Sequence, residues 1–213
     1  MNRAIVFLLI VLGSCSKKAE PEKEIVVSEN IPVQQVEVAQ EEDTETVPFS
    51  RSVKGNGFVY TLHGLEKANG SIDFKSISIF EKKKLRQKII VDSVYVLHDW
   101  EIIFNADKDA NFDGFKDLEV INWAGNYAFS SSFWLYNQKT RKYDHYKPLD
   151  TIQNIEIDAK RKEINSNYHI GPVNTYSKTY QWENGKLLMM SASIFEEGEE
   201  THMYRKNGKI VVE

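Results

Sequence analysis

The 213-residue chain has a single cysteine, Cys15. It can form no internal disulfide, and no thiolate cluster can hold zinc or an iron–sulfur centre. Basic charge is not in excess either: 27 Lys and Arg stand against 31 Asp and Glu, for a net charge of −4. A chain so balanced has no broad positive surface to neutralise phosphates, which argues against nucleic acid as a partner. Long stretches of helical periodicity are missing, and nothing repeats at a period of 20 to 50 residues. There is no G-x-S-x-G nucleophile, no H-E-x-x-H pair and no Gly-rich phosphate loop. His63, His98, His145, His169 and His202 are scattered and read as surface or hydrogen-bonded residues. Carboxylates abound, but nothing singles out one glycosidase-like pair. The expectation is therefore a protein that is not an enzyme, with a glycan-acting enzyme as the weaker alternative.

The N-terminus carries the first positive signal. Arg3 precedes an unbroken apolar run, Ala4 to Leu12, followed by Gly13, Ser14 and Cys15. The run is too short to span a bilayer as a stable helix and has the layout of a secretory signal, residues 1–14. Leu12-Gly13-Ser14-Cys15 resembles the lipobox of bacterial lipoproteins. That resemblance implies acylation of Cys15, cleavage before it, and attachment to a membrane through the N-terminal lipid. One acyl chain gives only marginal binding, so two or three on one residue are what make an anchor stable. The location expected is a bacterial cell envelope, facing the periplasm or the exterior.

Residues 15–50 read as an acidic tether. Glu20, Glu22, Glu24, Glu29, Glu37, Glu41, Glu42, Asp43 and Glu45 dominate it, with few large apolar residues between them. Such a segment buries too little to offset its ordering entropy, so disorder is expected. Residues 51–213 then form one domain. Aromatic and β-branched residues recur there in short runs, the composition of strands. Runs at Phe58–Leu62, Ile72–Phe80, Lys88–Val91, Leu118–Trp123 and Ser132–Tyr136 read as strands, and Val94–Leu97 with Trp100–Phe104 as one interrupted strand. Tyr143–Tyr146, Ile152–Ile157, Glu163–Tyr168, Tyr176–Trp182, Lys186–Ile194 and Ile210–Val212 continue the series. Glu81–Lys84, Asn184-Gly185, Gly198 and Asn207-Gly208 supply reversals. The fold expected is mainly β: an antiparallel sandwich, or a curled, barrel-like meander. Trp100, Trp123, Trp134 and Trp182 sit in strand-like runs and read as core rather than as sugar platforms.

One motif is sharp. From Asp109 the chain reads D-x-N-x-D-G-x-x-D, with oxygen-bearing side chains at alternate positions and Gly114 where the chain must turn. A hard cation such as Ca²⁺ takes six to eight oxygens. Asp109, Asn111 and Asp113 would offer side-chain oxygens, Phe115 its carbonyl and Asp117 a further carboxylate, with Asp107 an additional donor. Val120 stands where an EF-hand places its bidentate Glu, and the flanks look extended rather than helical. The motif therefore reads as a strand–loop–strand calcium loop, and the competing reading is a solvated acidic turn.

The loop is followed by Gly125-Asn126, by Phe133-Trp134-Leu135-Tyr136, and later by Tyr180-x-Trp182-x-x-Gly185-Lys186-Leu187. Over about residues 95 to 190 this order resembles a bacterial envelope family of β-rich, calcium-loop proteins related in fold to the periplasmic inhibitors of i-type lysozyme. The resemblance implies a structural Ca²⁺, the loop ligands above, and a lysozyme-like or other peptidoglycan-cleaving enzyme as partner. Such inhibitors push a polar or aromatic loop tip into the enzyme's cleft. Here Ser166–Gly171 and Gly125–Tyr127 are candidates by composition, with Tyr127, Tyr168 and His169 as their contact residues. A structural or ligand-binding lipoprotein without an enzyme target is the alternative.

Overall fold

Strand β3, Ile72–Glu81, shows how the sequence pattern becomes a layer. Ile72 and Phe74 point inward while Asp73 and Lys75 face out and pair at 2.9 Å. A β-bulge opposite β2, where Phe74 and Ser76 face the adjacent Gly64 and His63, then inserts one residue, so the inward set passes from even to odd numbers. Ile77 and Ile79 take over the buried face. A plain period-two reading runs through that change of phase without seeing it.

The computed structural model describes residues 45–96, 104–124 and 128–213. The signal peptide, Cys15, Trp100 and Tyr127 lie outside the described residues. The described chain forms three antiparallel sheets, each a plain meander of neighbours in sequence. The first contains β1 (Thr46–Gly55), β2 (Phe58–Lys67), β3 and β4 (Lys84–Val96). The second contains β5 (Phe104–Lys108), β6 (Asp117–Ala124), β7 (Phe129–Asn137) and β8 (Lys142–His145). The third contains β9 (Ile155–Asp158), β10 (Glu163–Ile170), β11 (Asn174–Glu183), β12 (Lys186–Glu196), β13 (Glu199–Lys206) and β14 (Lys209–Val212). The only described helix, α1 (Lys147–Asp150), is four residues long. The mainly β expectation therefore holds, with stacked meanders in place of a closed barrel.

Two hydrophobic clusters hold the layers. The first joins Tyr60, Leu62, Phe74, Ile77 and Ile79 of the first sheet to Leu118, Val120, Trp134 and Tyr143 of the second. The other cluster joins Phe133 and Ala110 to Leu149, Ile152, Ile155 and Ile164. Adjacent residues on a strand face opposite sides. Phe133 and Trp134 thus serve one cluster each, and the second sheet is the middle layer.

Several boundaries differ from the expectation. The first strand opens at Thr46, inside the stretch read as tether, because Thr46–Gly55 pairs residue by residue with β2. The expected strand at 88–91 and residues 94–96 of the run expected at 94–97 are parts of one long β4. The run Ile152–Ile157 begins as a turn, where Ile152 and Leu149 fill the second cluster, and only Ile155–Asp158 is a strand. The reversals fall where they were read. Asn184 and Gly185 have φ of 51° and 74°, the left-handed pair of a tight two-residue hairpin. At Lys82-Lys83 two lysines adopt the same conformation, with φ of 46° and 67°.

Candidate functional site

Strands β5 and β6 pair through Lys108 and Asp117, and residues 109–116 form the loop between them. The acidic motif thus sits on a strand–loop–strand support. Inside the loop the side-chain oxygens turn toward the backbone. Asp113 and Gly114 donate their N–H groups to Asp109 Oδ1 and Oδ2 at 3.1 and 2.9 Å. The Asp113 N–H also reaches Asn111 Oδ1, and Phe115 N–H donates to Asp113 Oδ1 at 2.9 Å. Gly114 makes the sharp turn at φ 89°. Asn111 and Asp113 are tied further by an amide-to-carboxylate bond of 3.0 Å.

Asp117 behaves differently. Its side chain is fully buried, and its two oxygens accept from Ala110 N–H and Tyr136 N–H, each at 2.8 Å. Burial pushes its carboxyl up to about 6; the two backbone N–H groups work against that, and the charges of Asp113 and Asp109 add to it. Asp117 is thus the pin that ties the loop's first turn to β7. Asp107 is exposed on β5, with its N–H bonded to Asn105 Oδ1.

Two carboxylates and one amide therefore face the turn, while the third carboxylate is committed to backbone donors. Among the described residues no three His, Cys, Asp or Glu side chains converge as a ready metal site. The donor chemistry of Asp109, Asn111, Asp113 and the Phe115 carbonyl nonetheless suits a hard, oxygen-seeking cation, since each carboxylate keeps lone pairs beyond its N–H partners.

The loop is also clamped from the third sheet. Trp182 Nε1 donates to the Ala110 carbonyl at 2.7 Å, and its ring lies 4.7 Å from that of Tyr146. The Tyr146 hydroxyl accepts the N–H of Leu187 at 3.1 Å. These are residues of the Tyr180–Leu187 segment that the sequence resemblance used, and the fold brings them against the loop.

The expected contact residues of the β10–β11 hairpin lie elsewhere. Tyr168 is in register with Tyr176, and their rings stack at 4.7 Å and 8°. Lys178 Nζ lies 3.3 Å from the Tyr168 hydroxyl. His169, next in the strand, faces the other side and bonds through Nδ1 to the Gly171 carbonyl at 3.0 Å. Beyond them the tip exposes Ile170 and Val173. The tip is six residues along β10 from Ile164, about 20 Å at strand rise, so hairpin tip and acidic loop are separate features.

One grouping escapes sequence reading altogether. Phe58, Tyr136 and Tyr143 belong to three strands, yet their rings cluster within 5.1–6.2 Å of one another. Phe115 of the acidic loop stacks on Tyr136 at 5.8 Å and 24°. Across this edge lies an ion-pair strap: Glu81 accepts from Arg86 at 2.6 Å and from Arg141 at 2.5 Å. Partial burial disfavours the Glu81 charge, but the two arginines outweigh it and hold the carboxyl below its usual range. The residues are spread from 58 to 143, and no local spacing signals that they meet.

No protein-family model matches the chain, and no curated protein matches it in sequence. In fold it is similar to a Xanthomonas type IV secretion system related protein, with a TM-score of 0.55. The identity is 14%, and the match covers 82% of this chain and 95% of that chain. At that identity the likeness is one of fold.

Proposed function

We propose that the protein is a lipid-anchored protein of a bacterial envelope that acts by binding rather than by catalysis. Its β scaffold, braced by a calcium loop, takes a macromolecular partner, and the partner is a peptidoglycan-cleaving enzyme that it inhibits. The lipobox-like Leu12–Cys15 supports the anchor. A fold shared with a secretion-system-related protein agrees with an envelope setting.

The observation that carries the reading is the loop itself. Its backbone N–H groups already hold Asp109, Asn111 and Asp113 inward, and Asp117 pins its base to β7. A bound Ca²⁺ would be held by Asp109, Asn111, Asp113 and the Phe115 carbonyl. Asp117 contributes only the lone pairs that its two N–H donors leave. The ion would offset the mutual repulsion of these carboxylates and add its binding free energy to folding. The rigid support then presents the β10–β11 tip, where Tyr168, His169 and the exposed Ile170 and Val173 offer an aromatic and apolar contact. Tyr127 is a second contact residue in this proposal.

The test is turnover of lysozymes and related lytic enzymes on peptidoglycan, titrated with the protein. Loss of turnover at near-stoichiometric protein, abolished by Tyr168→Ala with Ile170→Ala, is the expected result. Undiminished turnover at saturating protein across such enzymes would refute the inhibitor reading.

A further inference from the structure

We infer that the aromatic cleft beside the acidic loop is a carbohydrate site that takes one uncharged pyranose ring of an oligosaccharide. The cleft has a volume of about 260 Å³ and is where four turns meet around Tyr136. The β1–β2 turn brings Asn56 and Gly57, the β3–β4 turn Glu81, the acidic loop Phe115 and Lys116, and the β7–β8 turn Arg141. Small-molecule sites commonly span about 300–1,000 Å³. A cleft just below that range suits a single ring with its neighbours in solvent.

The lining has the two kinds of surface a pyranose needs. Aromatic rings stack on apolar faces, and polar groups at the edge fix orientation. Phe115 rests one face on Tyr136 and remains 38% exposed, although it is a large apolar ring. Phe58 and Tyr143 form the floor as the open edge of the main core. Around them stand planar or extended polar groups with spare hydrogen-bonding capacity. Arg141 uses one nitrogen on Glu81 and also bonds the Tyr136 hydroxyl, which leaves further donors of its five. Asn56 donates its amide to the Ala106 carbonyl, and its own carbonyl oxygen can still accept.

Charge selects against ionic ligands. An anion would meet the Glu81 carboxylate, which lines the cleft. A cation would meet Arg141 and Lys116, both lining the cleft. Glu81 is shared between Arg86 and Arg141. A neutral ring that combines an apolar face with hydroxyl groups meets neither penalty. This inference does not rest on inhibition of any enzyme, so the two can fail separately.

The test is saturation-transfer NMR and calorimetry on the full chain in detergent, with chitotetraose as the probe. Saturable binding is expected, weakened at least about tenfold by Phe115→Ala and by Arg141→Ala. The exposed Ile210→Ala, on the third sheet, should leave it unchanged. Melting curves accompany each variant. If Phe115→Ala disturbs its loop, Arg141→Ala, on a different turn, still decides. No saturable binding at about 10 mM sugar, or equal binding by parent and Arg141→Ala, overturns the assignment.

Discussion

Replacing Asp117 by alanine separates a pin from a ligand. The parent side chain accepts two buried N–H bonds, from Ala110 and Tyr136. Bonds to a charged acceptor are worth about 1.5–3 kcal/mol each, so their loss amounts to about 3–6 kcal/mol. Removing the charge returns part of this. Burial pushes this carboxyl up to about 6 even against those two bonds, and alanine escapes the cost of burying a charge. The net expectation is a loss of about 2 kcal/mol, or a fall in Tm of about 4–8 °C for a domain of this size. The assay is thermal melting in excess chelator at pH 7.5. A pin destabilises there just as it does with calcium present. If Asp117→Ala melts with the parent in chelator and falls behind only when calcium is added, Asp117 is a ligand first and the pin argument is wrong.

Other perturbations follow the same logic. Gly64→Ala would place a Cβ 2.5 Å from the Asp73 carbonyl oxygen at the paired bulge, so β2 and β3 must shift; a loss of about 1–3 kcal/mol in denaturant melts is expected. Trp182→Phe removes the bond to the Ala110 carbonyl and should cost about 1 kcal/mol, read by chemical denaturation. Glu81 has a folded pKa below its ordinary 4.5, so its contribution to stability is complete above that value and is lost as pH falls through the folded one. The gap in Tm between parent and Glu81→Gln should therefore be present at pH 7 and close in acid. Cys15→Ser should abolish incorporation of labelled palmitate in a bacterial host; undiminished labelling would contradict the lipobox.

The legible part of the fold is the part encoded locally. Asn184-Gly185 and Asn207-Gly208 mark their hairpins because few other residues accept two successive left-handed conformations. The run from Ile72 to Phe80 is readable as a strand from its alternation, but the bulge after Phe74 is not, since it exists only in the pairing with His63 and Gly64 of the neighbouring strand. Thr46–Ser50 has the look of a polar tether because it opens an edge strand with mostly exposed side chains; only the pairing of that strand with β2 makes it structure. In the site, the loop's spacing was visible and its Asx-type bonds follow from it. The pinning role of Asp117 was not, because it depends on Tyr136, nineteen residues on. The aromatic cleft was invisible for the same reason on a larger scale.

The brace at the centre of this account can be measured directly by calorimetric titration of calcium into the metal-free protein, with melting curves before and after. Saturable heat, a higher Tm with calcium, and loss of both in Asp109→Ala are the results expected. No heat at millimolar calcium, together with superimposable melting curves, would contradict it.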